Sequence, residues 1–262
     1  MTLEISGISV RYGRAIALAQ IDARFAPAEM TALIGPNGSG KSTLLKAMAG
    51  LIAATGDVRL DGQALASGSR RRTVAYMAQE IGATSTLTLL EAVLLGRLSS
   101  LGVRPPSHLV DEAAAMLARF GLAALSRRRL DEVSGGQRQL AYLAQALFRQ
   151  PRALLLDEPT AALDLRHQLI VLEAVSRYAA ESGTVAVVAM HDLSLAAGTA
   201  RQILCLTEGA VDALGPPAAV LTAERLRRVW GVEAAVFEAA GRLQVTPLRP
   251  AAGRTPFNYS DN

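Results

Sequence analysis

Eight consecutive residues restrict the fold of this 262-residue chain more than any others: Gly35-Pro36-Asn37-Gly38-Ser39-Gly40-Lys41-Ser42. They match the pattern G-x-x-x-x-G-K-[ST]. They stand between a compact apolar run, Thr31-Ala32-Leu33-Ile34, and a segment with Leu44, Leu45, Met48 and Ala49 at helical spacing. A strand that turns through glycines straight into a helix opens a parallel α/β unit. The glycines let successive backbone N–H groups curl around phosphate oxygens, and the helix N-terminus adds the positive end of its dipole. Lys41 is a compact cation that reaches the β- and γ-phosphates, and Ser42 offers a hydroxyl to Mg²⁺. The pattern predicts a nucleoside triphosphate site. Its lysine is selective, because among 27 Lys plus Arg only Lys41 and Lys46 are lysines.

A second constellation complements the loop. Leu154-Leu155-Leu156-Asp157-Glu158 is a buried strand ending in two acids. In a parallel sheet that strand delivers Asp157 to the edge where the phosphate loop lies, placed to hold Mg²⁺. Glu158, the next residue, is the candidate general base for the water that attacks the γ-phosphate. A third is Val133-Ser134-Gly135-Gly136-Gln137. Ser134 is a natural N-cap for a helix carrying Leu140, Leu143, Ala144 and Leu147 on one face. The two glycines let that helix end come close to an anion.

These three motifs, in this order, resemble the nucleotide-binding subunit of an ATP-binding cassette (ABC) transporter over about residues 2–232. The family signature is normally Leu-Ser-Gly-Gly-Gln; here Val133 stands in place of the leucine. The resemblance implies an ABC-type phosphate-loop α/β fold, with an N-terminal antiparallel β subdomain and an inserted α-helical subdomain. Its expected cofactors are ATP and Mg²⁺, with Thr43 beside Ser42 in the nucleotide-binding set. Tyr12 matches the aromatic that stacks on adenine. Gln79 matches the glutamine that senses Mg²⁺ and links to the helical subdomain. Ala162-Leu163-Asp164 matches the loop that crosses between subunits, and His191 the switch histidine near the γ-phosphate. In the family two copies pack head to tail, so that Ser134, Gly135, Gly136 and Gln137 of one complete the ATP site of the other.

More specific similarity lies in the segments 87–97, 163–168 and 220–232, which resemble the ATPases of ferric-siderophore, haem and cobalamin importers. The expectation is an ATPase that powers import of an iron complex, a ferric siderophore ahead of haem or cobalamin. It implies a membrane-embedded permease as partner and an extracytoplasmic binding protein as an indirect one. A cassette ATPase acting on ribosomes or DNA fits less well, because one cassette and an insertion of about 65 residues replace the usual pair of cassettes or long coiled coil. An exporter ATPase is often fused to its membrane domain, and a non-hydrolysing regulator would not need both Glu158 and His191.

The remaining features set the frame. At 262 residues with 50% hydrophobic and 4% aromatic content, the chain suits one α/β domain with an insertion and an aliphatic core. The divisions expected are 1–80 and 151–250 for the nucleotide-binding core, 81–150 for the helical subdomain and 251–262 for a flexible tail. Helices are expected at Thr88 to Arg97, Leu109 to Phe120, Gly136 to Arg149 and Leu165 to Ala180, and a central strand over Thr184 to Met190. The net charge of +4 does not point to nucleic acid, because the runs Arg70–Arg72 and Arg127–Arg129 are short, far apart and free of aromatics. The single cysteine, Cys205, excludes an intramolecular disulfide or a cysteine zinc site and is expected as a buried, inert thiol. With neither a signal peptide nor a bilayer-spanning run, the chain is expected to be peripheral, on the cytoplasmic face of the inner membrane.

Overall fold

The computed structural model describes residues 1–66, 70, 73–79, 85–100, 105–161 and 163–252, with the side chains of 98–100 left out. The tail from 253 onward and Ala162 lie outside the described residues. The strands are β1 (Leu3–Tyr12), β2 (Ala15–Phe25), β3 (Met30–Ile34), β4 (Thr55–Leu60), β5 (Gln63–Ala64), β6 (Val74–Met77), β7 (Ala153–Asp157), β8 (Val185–Ala189), β9 (Gln202–Thr207), β10 (Ala210–Gly215), β11 (Val232–Ala239) and β12 (Arg242–Pro250). The α-helices are α1 (Lys41–Met48), α2 (Leu89–Leu94), α3 (Ser107–Arg119), α4 (Gly135–Phe148), α5 (Leu165–Ser182), α6 (Leu193–Thr199), α7 (Pro217–Val220) and α8 (Ala223–Trp230).

The six-stranded sheet has the order β10-β9-β3-β8-β7-β6, parallel throughout except for the antiparallel edge strand β10. Every residue of β3, β7 and β8 is buried, as continuous apolar strands covered on both faces must be. Side chains alternate between those faces. Ala32, Ile34, Leu154, Leu156, Ala186 and Val188 join the core under the helices α2 to α6. Leu33, Ala153, Leu155, Val185 and Val187 join the core shared with α1 and the N-terminal sheet. That second sheet, β2-β1-β4-β5, is antiparallel. The fold is thus a parallel α/β core with the expected antiparallel β part and a helical insertion between β6 and β7.

Local signals set most helix ends. Thr88 caps α2 and Ser134 caps α4, each through a reciprocal capping box, with Glu91 and Gln137 respectively. Asp164 caps α5, which stops at Gly183 in the left-handed conformation (φ 69°). The helix expected to reach Arg97 ends instead at Leu94 and tightens into a 3-10 segment, Leu95–Ser100. Tertiary contacts decide this. Arg97 turns out of the helical path (φ −115°, ψ 41°) to donate from Nε to the Phe148 carbonyl at 2.7 Å. Its guanidinium lies 4.4 Å from the Phe148 ring centroid and pairs with Glu112 at 2.8 Å.

One departure lies at the C-terminal end of the chain. The sequence suggests no strand after α8, yet β11 and β12 form an antiparallel hairpin. It is tied to α6 by Ser194, whose Oγ accepts from the Val245 N–H at 3.0 Å. Cys205 is fully buried on β9, and burial pushes its thiol up to about 12, so it is the inert thiol expected. Among the described residues no helix is long and apolar enough to cross a membrane.

The nearly buried carboxylate of Asp212, on β10, fastens α8. It accepts from Arg225 Nε at 2.8 Å and from Arg228 Nη2 at 3.0 Å. The Arg228 hydrogen bonds hold this carboxyl below its ordinary 3.8, against the upward push of burial, with Arg225 adding to the effect. A depressed carboxyl stabilises the fold above its unfolded value, and that contribution is lost as pH falls through the lower folded value. Asp212→Asn should therefore cost about 1–2 kcal/mol at neutral pH. Acid titration of thermal unfolding should show the gap to the parent protein narrowing below pH 3.8; a pH-independent gap would exclude the carboxylate as its source.

Candidate active site

The C-terminal ends of β3, β7 and β8 meet at one edge, where Leu33 and Asp157 both stand opposite Ala189. The glycine loop leaves β3 there. Gly35, Gly38 and Gly40 have φ of 153°, 78° and 102°. A Cβ on Gly40 would stand 2.6 Å from Leu18 Cδ2, and one on Gly35 would overlap the Leu206 carbonyl. The loop is anchored from beneath, because the Gly209 N–H donates to Ser39 O at 3.2 Å and Gly209 O accepts from Ala19 N at 2.9 Å. α1 starts within the motif and carries no acid in its first turn, so its positive end faces the loop uncompensated.

Lys41 is 6% exposed. Its ammonium donates to Gly35 O at 2.8 Å and Pro36 O at 3.1 Å. Burial lowers its pKa, while the charges of Glu158 and then Asp157 work in the opposite direction. Asp157 accepts from Ser42 Oγ at 3.0 Å and from the Tyr76 hydroxyl at 3.2 Å. Glu158 is 7% exposed and sits in the left-handed region at φ 50°. Its carboxylate accepts from Gln79 Nε2 at 2.6 Å and pairs with His191 Nε2. A cleft of about 390 Å³ opens over this group, with Asn37, Lys41, Thr43, Gln79, Glu158 and His191 in its wall.

The arrangement joins a cationic phosphate cradle to a carboxylate that has donors on both of its oxygens. The Ser42 hydroxyl and Asp157 carboxylate are hard oxygen donors, suited to a divalent cation that keeps water and phosphate ligands. No cluster of three or more His, Cys, Asp or Glu able to hold a metal occurs among the described residues. The Ser42 and Asp157 oxygens fit a cation whose remaining ligands are water and phosphate oxygens.

Not every residue singled out in the sequence comes to the cleft. Tyr12, at the end of β1, is 54% exposed. Ser134, Gly135, Gly136 and Gln137 form the start of α4 and do not line the cleft. Their turn lies against Leu163, whose Cδ2 is 3.0 Å from where a Gly136 Cβ would stand. Asp164, next to Leu163, is an exposed cap. Its carboxyl is lowered by hydrogen bonds from the backbone and ring of His167. Sequence reasoning missed Tyr76. Its only signal was a hydroxyl-bearing residue within the apolar strand Val74–Met77, and the partner, Asp157, is 81 positions away.

The parallel sheet, with this loop at its edge, defines a phosphate-loop nucleoside triphosphatase. The family described as ABC transporter matches residues 18–161. The hemin import ATP-binding protein HmuV of Myxococcus xanthus is 42% identical, over 98% of this chain and 99% of its own length. The ferric enterobactin transport ATP-binding protein FepC of Escherichia coli is 34% identical, over 95% and 94%. A solved structure of an ABC transporter in an inward-facing conformation superposes with a TM-score of 0.81. It is 26% identical, over 94% of this chain and 97% of that one. The chain belongs to the ABC transporter family as an ATP-binding subunit, an ATPase whose hydrolysis is coupled to transport.

The loop's tight approach to β9 has a direct test. Gly35→Ala must displace either the loop or the Leu206 carbonyl, with a strain of about 1–3 kcal/mol. We expect a melting temperature lower by roughly 3–10 °C and ATP binding at least about tenfold weaker. Calorimetry with a fluorescent ATP analogue checks both, and unchanged binding would mean that the loop tolerates the shift.

Proposed function

We propose that this subunit powers import of an iron complex, a ferric siderophore or haem, as a pair of identical copies bound beneath a membrane permease at the cytoplasmic face. The observation that carries the hydrolytic part is the Glu158 carboxylate, held between Gln79 and His191 in the wall of the phosphate-loop cleft. The names of the relatives support import. The hemin importer protein has the higher identity of the two, whereas the sequence motifs favoured a siderophore. No feature of the chain favours a ribosomal, DNA-directed or exporter role.

In this reading the loop N–H groups from Gly35 to Ser42 and Lys41 bind the β- and γ-phosphates of ATP. Thr43 lies alongside, and Tyr12 stacks on the adenine. Ser42 and Asp157, with Gln79, would hold Mg²⁺, which when bound would neutralise charge on the phosphate oxygens. Glu158 accepts a proton from the attacking water, and His191 and Gln79 keep its carboxylate aimed at that water. The products are ADP and phosphate. Most of the catalytic effect comes from positioning and from charge already in place.

The exposed signature turn supports a composite site. Ser134, Gly135, Gly136 and Gln137 present a helix N-terminus away from their own cleft, where it can meet the nucleotide of a second copy. Asp164 lies at the same crossing. The permease has its own candidate seat. A groove of about 430 Å³ runs between the edge strand at Ala75–Ala78 and the α4 residues Tyr142, Gln145 and Arg149. It begins one residue before Gln79, so a docked permease segment would touch the chain that reaches Glu158. The extracytoplasmic binding protein would act only through the permease.

Glu158→Gln should bind ATP, lose at least about 100-fold in turnover, and run as an ATP-dependent dimer on gel filtration. Full turnover would remove Glu158 as the base. Ser134→Arg should abolish that dimer while a single subunit still binds ATP; a persisting dimer would refute the composite site. For the cargo, the complex with its permease and binding protein would be reconstituted in vesicles. Haem and ferric siderophore would then be compared as stimulators of ATP hydrolysis, and stimulation by neither would sink the iron-complex reading.

A further inference from the structure

Gln139 lies one turn beyond the signature glycines on α4 and is 8% exposed, a buried amide on a helix face otherwise made of Leu140, Leu143 and Ala144. Buried polar side chains need partners. Its Nε2 donates to the Pro159 carbonyl at 2.7 Å and reaches the Glu158 carbonyl at 3.5 Å. Those are the backbone oxygens of the base and of the residue that follows it. The backbone there is unusual, because Glu158 is one of few non-glycine residues at positive φ. A side chain is kept in that region only when the surroundings over-determine it. Two backbone hydrogen bonds also hold Glu158, its N–H to Ala189 O at 3.2 Å and Ala161 N to Glu158 O at 3.3 Å, but Pro159 O is held by Gln139 at the shorter 2.7 Å.

We propose that Gln139 is a positioning residue for hydrolysis, clamping the Glu158–Pro159 backbone in the strained conformation that aims the Glu158 carboxylate at Gln79 and His191. This rests on the reading of Glu158 as the base. A relaxation of φ at Glu158 rotates its Cα–Cβ bond and carries the carboxylate away from both donors. The clamp also has a mechanical consequence. α4 starts at the turn that faces the second copy's nucleotide, and its capping box makes that turn rigid. Through Gln139 the same helix holds the base that serves this copy's own nucleotide. Movement of the signature turn at one ATP site is thereby delivered to the base of the other.

The test is a double-mutant cycle. Gln139→Met keeps the length and removes the donor; Gln139→Asn keeps the amide but is one methylene short of Pro159 O. Each should lower kcat for ATP about ten- to a hundredfold, the range expected for a base displaced by up to an ångström. KM and the Kd for ATP should stay within about twofold. In a Glu158→Gln background the residual single-turnover rate should change less than about twofold, because no carboxylate is left to aim. If one variant fails to fold, the other decides. An unchanged kcat, or the same fold-loss with and without Glu158, would overturn the proposal. If Glu158→Gln alone keeps full turnover, the base reading fails and takes the clamp with it; if Glu158→Gln is inactive and the Gln139 variants are not, the clamp alone fails.

Discussion

A buried ammonium is the constraint on which this structure turns. Lys41 sits almost out of water at the start of a helix, whose own dipole repels a cation. Burial on those terms is tolerable only with oxygen ligands and negative charge close by. The Gly35 and Pro36 carbonyls supply the ligands, and Glu158 and Asp157 supply the charge. Those acids are 116 or more positions along the chain, so the sheet must bring them. The order β9-β3-β8-β7 does this, placing the ends of β7 and β8 beside the loop that leaves β3.

The same requirement explains why the fold is divided as it is. A parallel sheet must be covered on both faces, and the alternation along β3, β7 and β8 sends side chains into two separate cores. One core joins the loop and α1 to the antiparallel sheet, which steadies the phosphate cradle through Leu18 and the Ala19–Gly209 hydrogen bond. The other joins β7 and β8, which lead to Asp157 and His191, to the helices, among them α4 with its signature turn. Charge chemistry thus sits at the seam between two packing units.

Much of this was legible in the residues. The loop, the acid pair and the capped Ser134 helix each rest on local signals (a glycine spacing, an apolar strand with a carboxylate end, a capping box), and local signals survive translation into structure. What was missed is non-local. The Tyr76 hydroxyl and Gln139 amide show their purpose only once Asp157 and Pro159 are beside them. Helix α2 ends early because Arg97 is used by α4, which no propensity around Arg97 announces. The β11–β12 hairpin was hidden by its half-exposed strands, in which Pro247 and Pro250 interrupt the alternation.

The two lysines separate these levels. Lys41 is determined by chemistry, since a planar guanidinium would not fit under the glycine turn with both carbonyls at about 3 Å. Lys46, in the last turn of α1, faces the negative end of the helix. A cation there is favoured by a few tenths of a kcal/mol, roughly 0.3–1, and arginine would supply the same charge. The structure explains why position 46 is basic without explaining why it is lysine. A residue's chemistry is fully specified only where it is enclosed, and in this chain that enclosure is the nucleotide site.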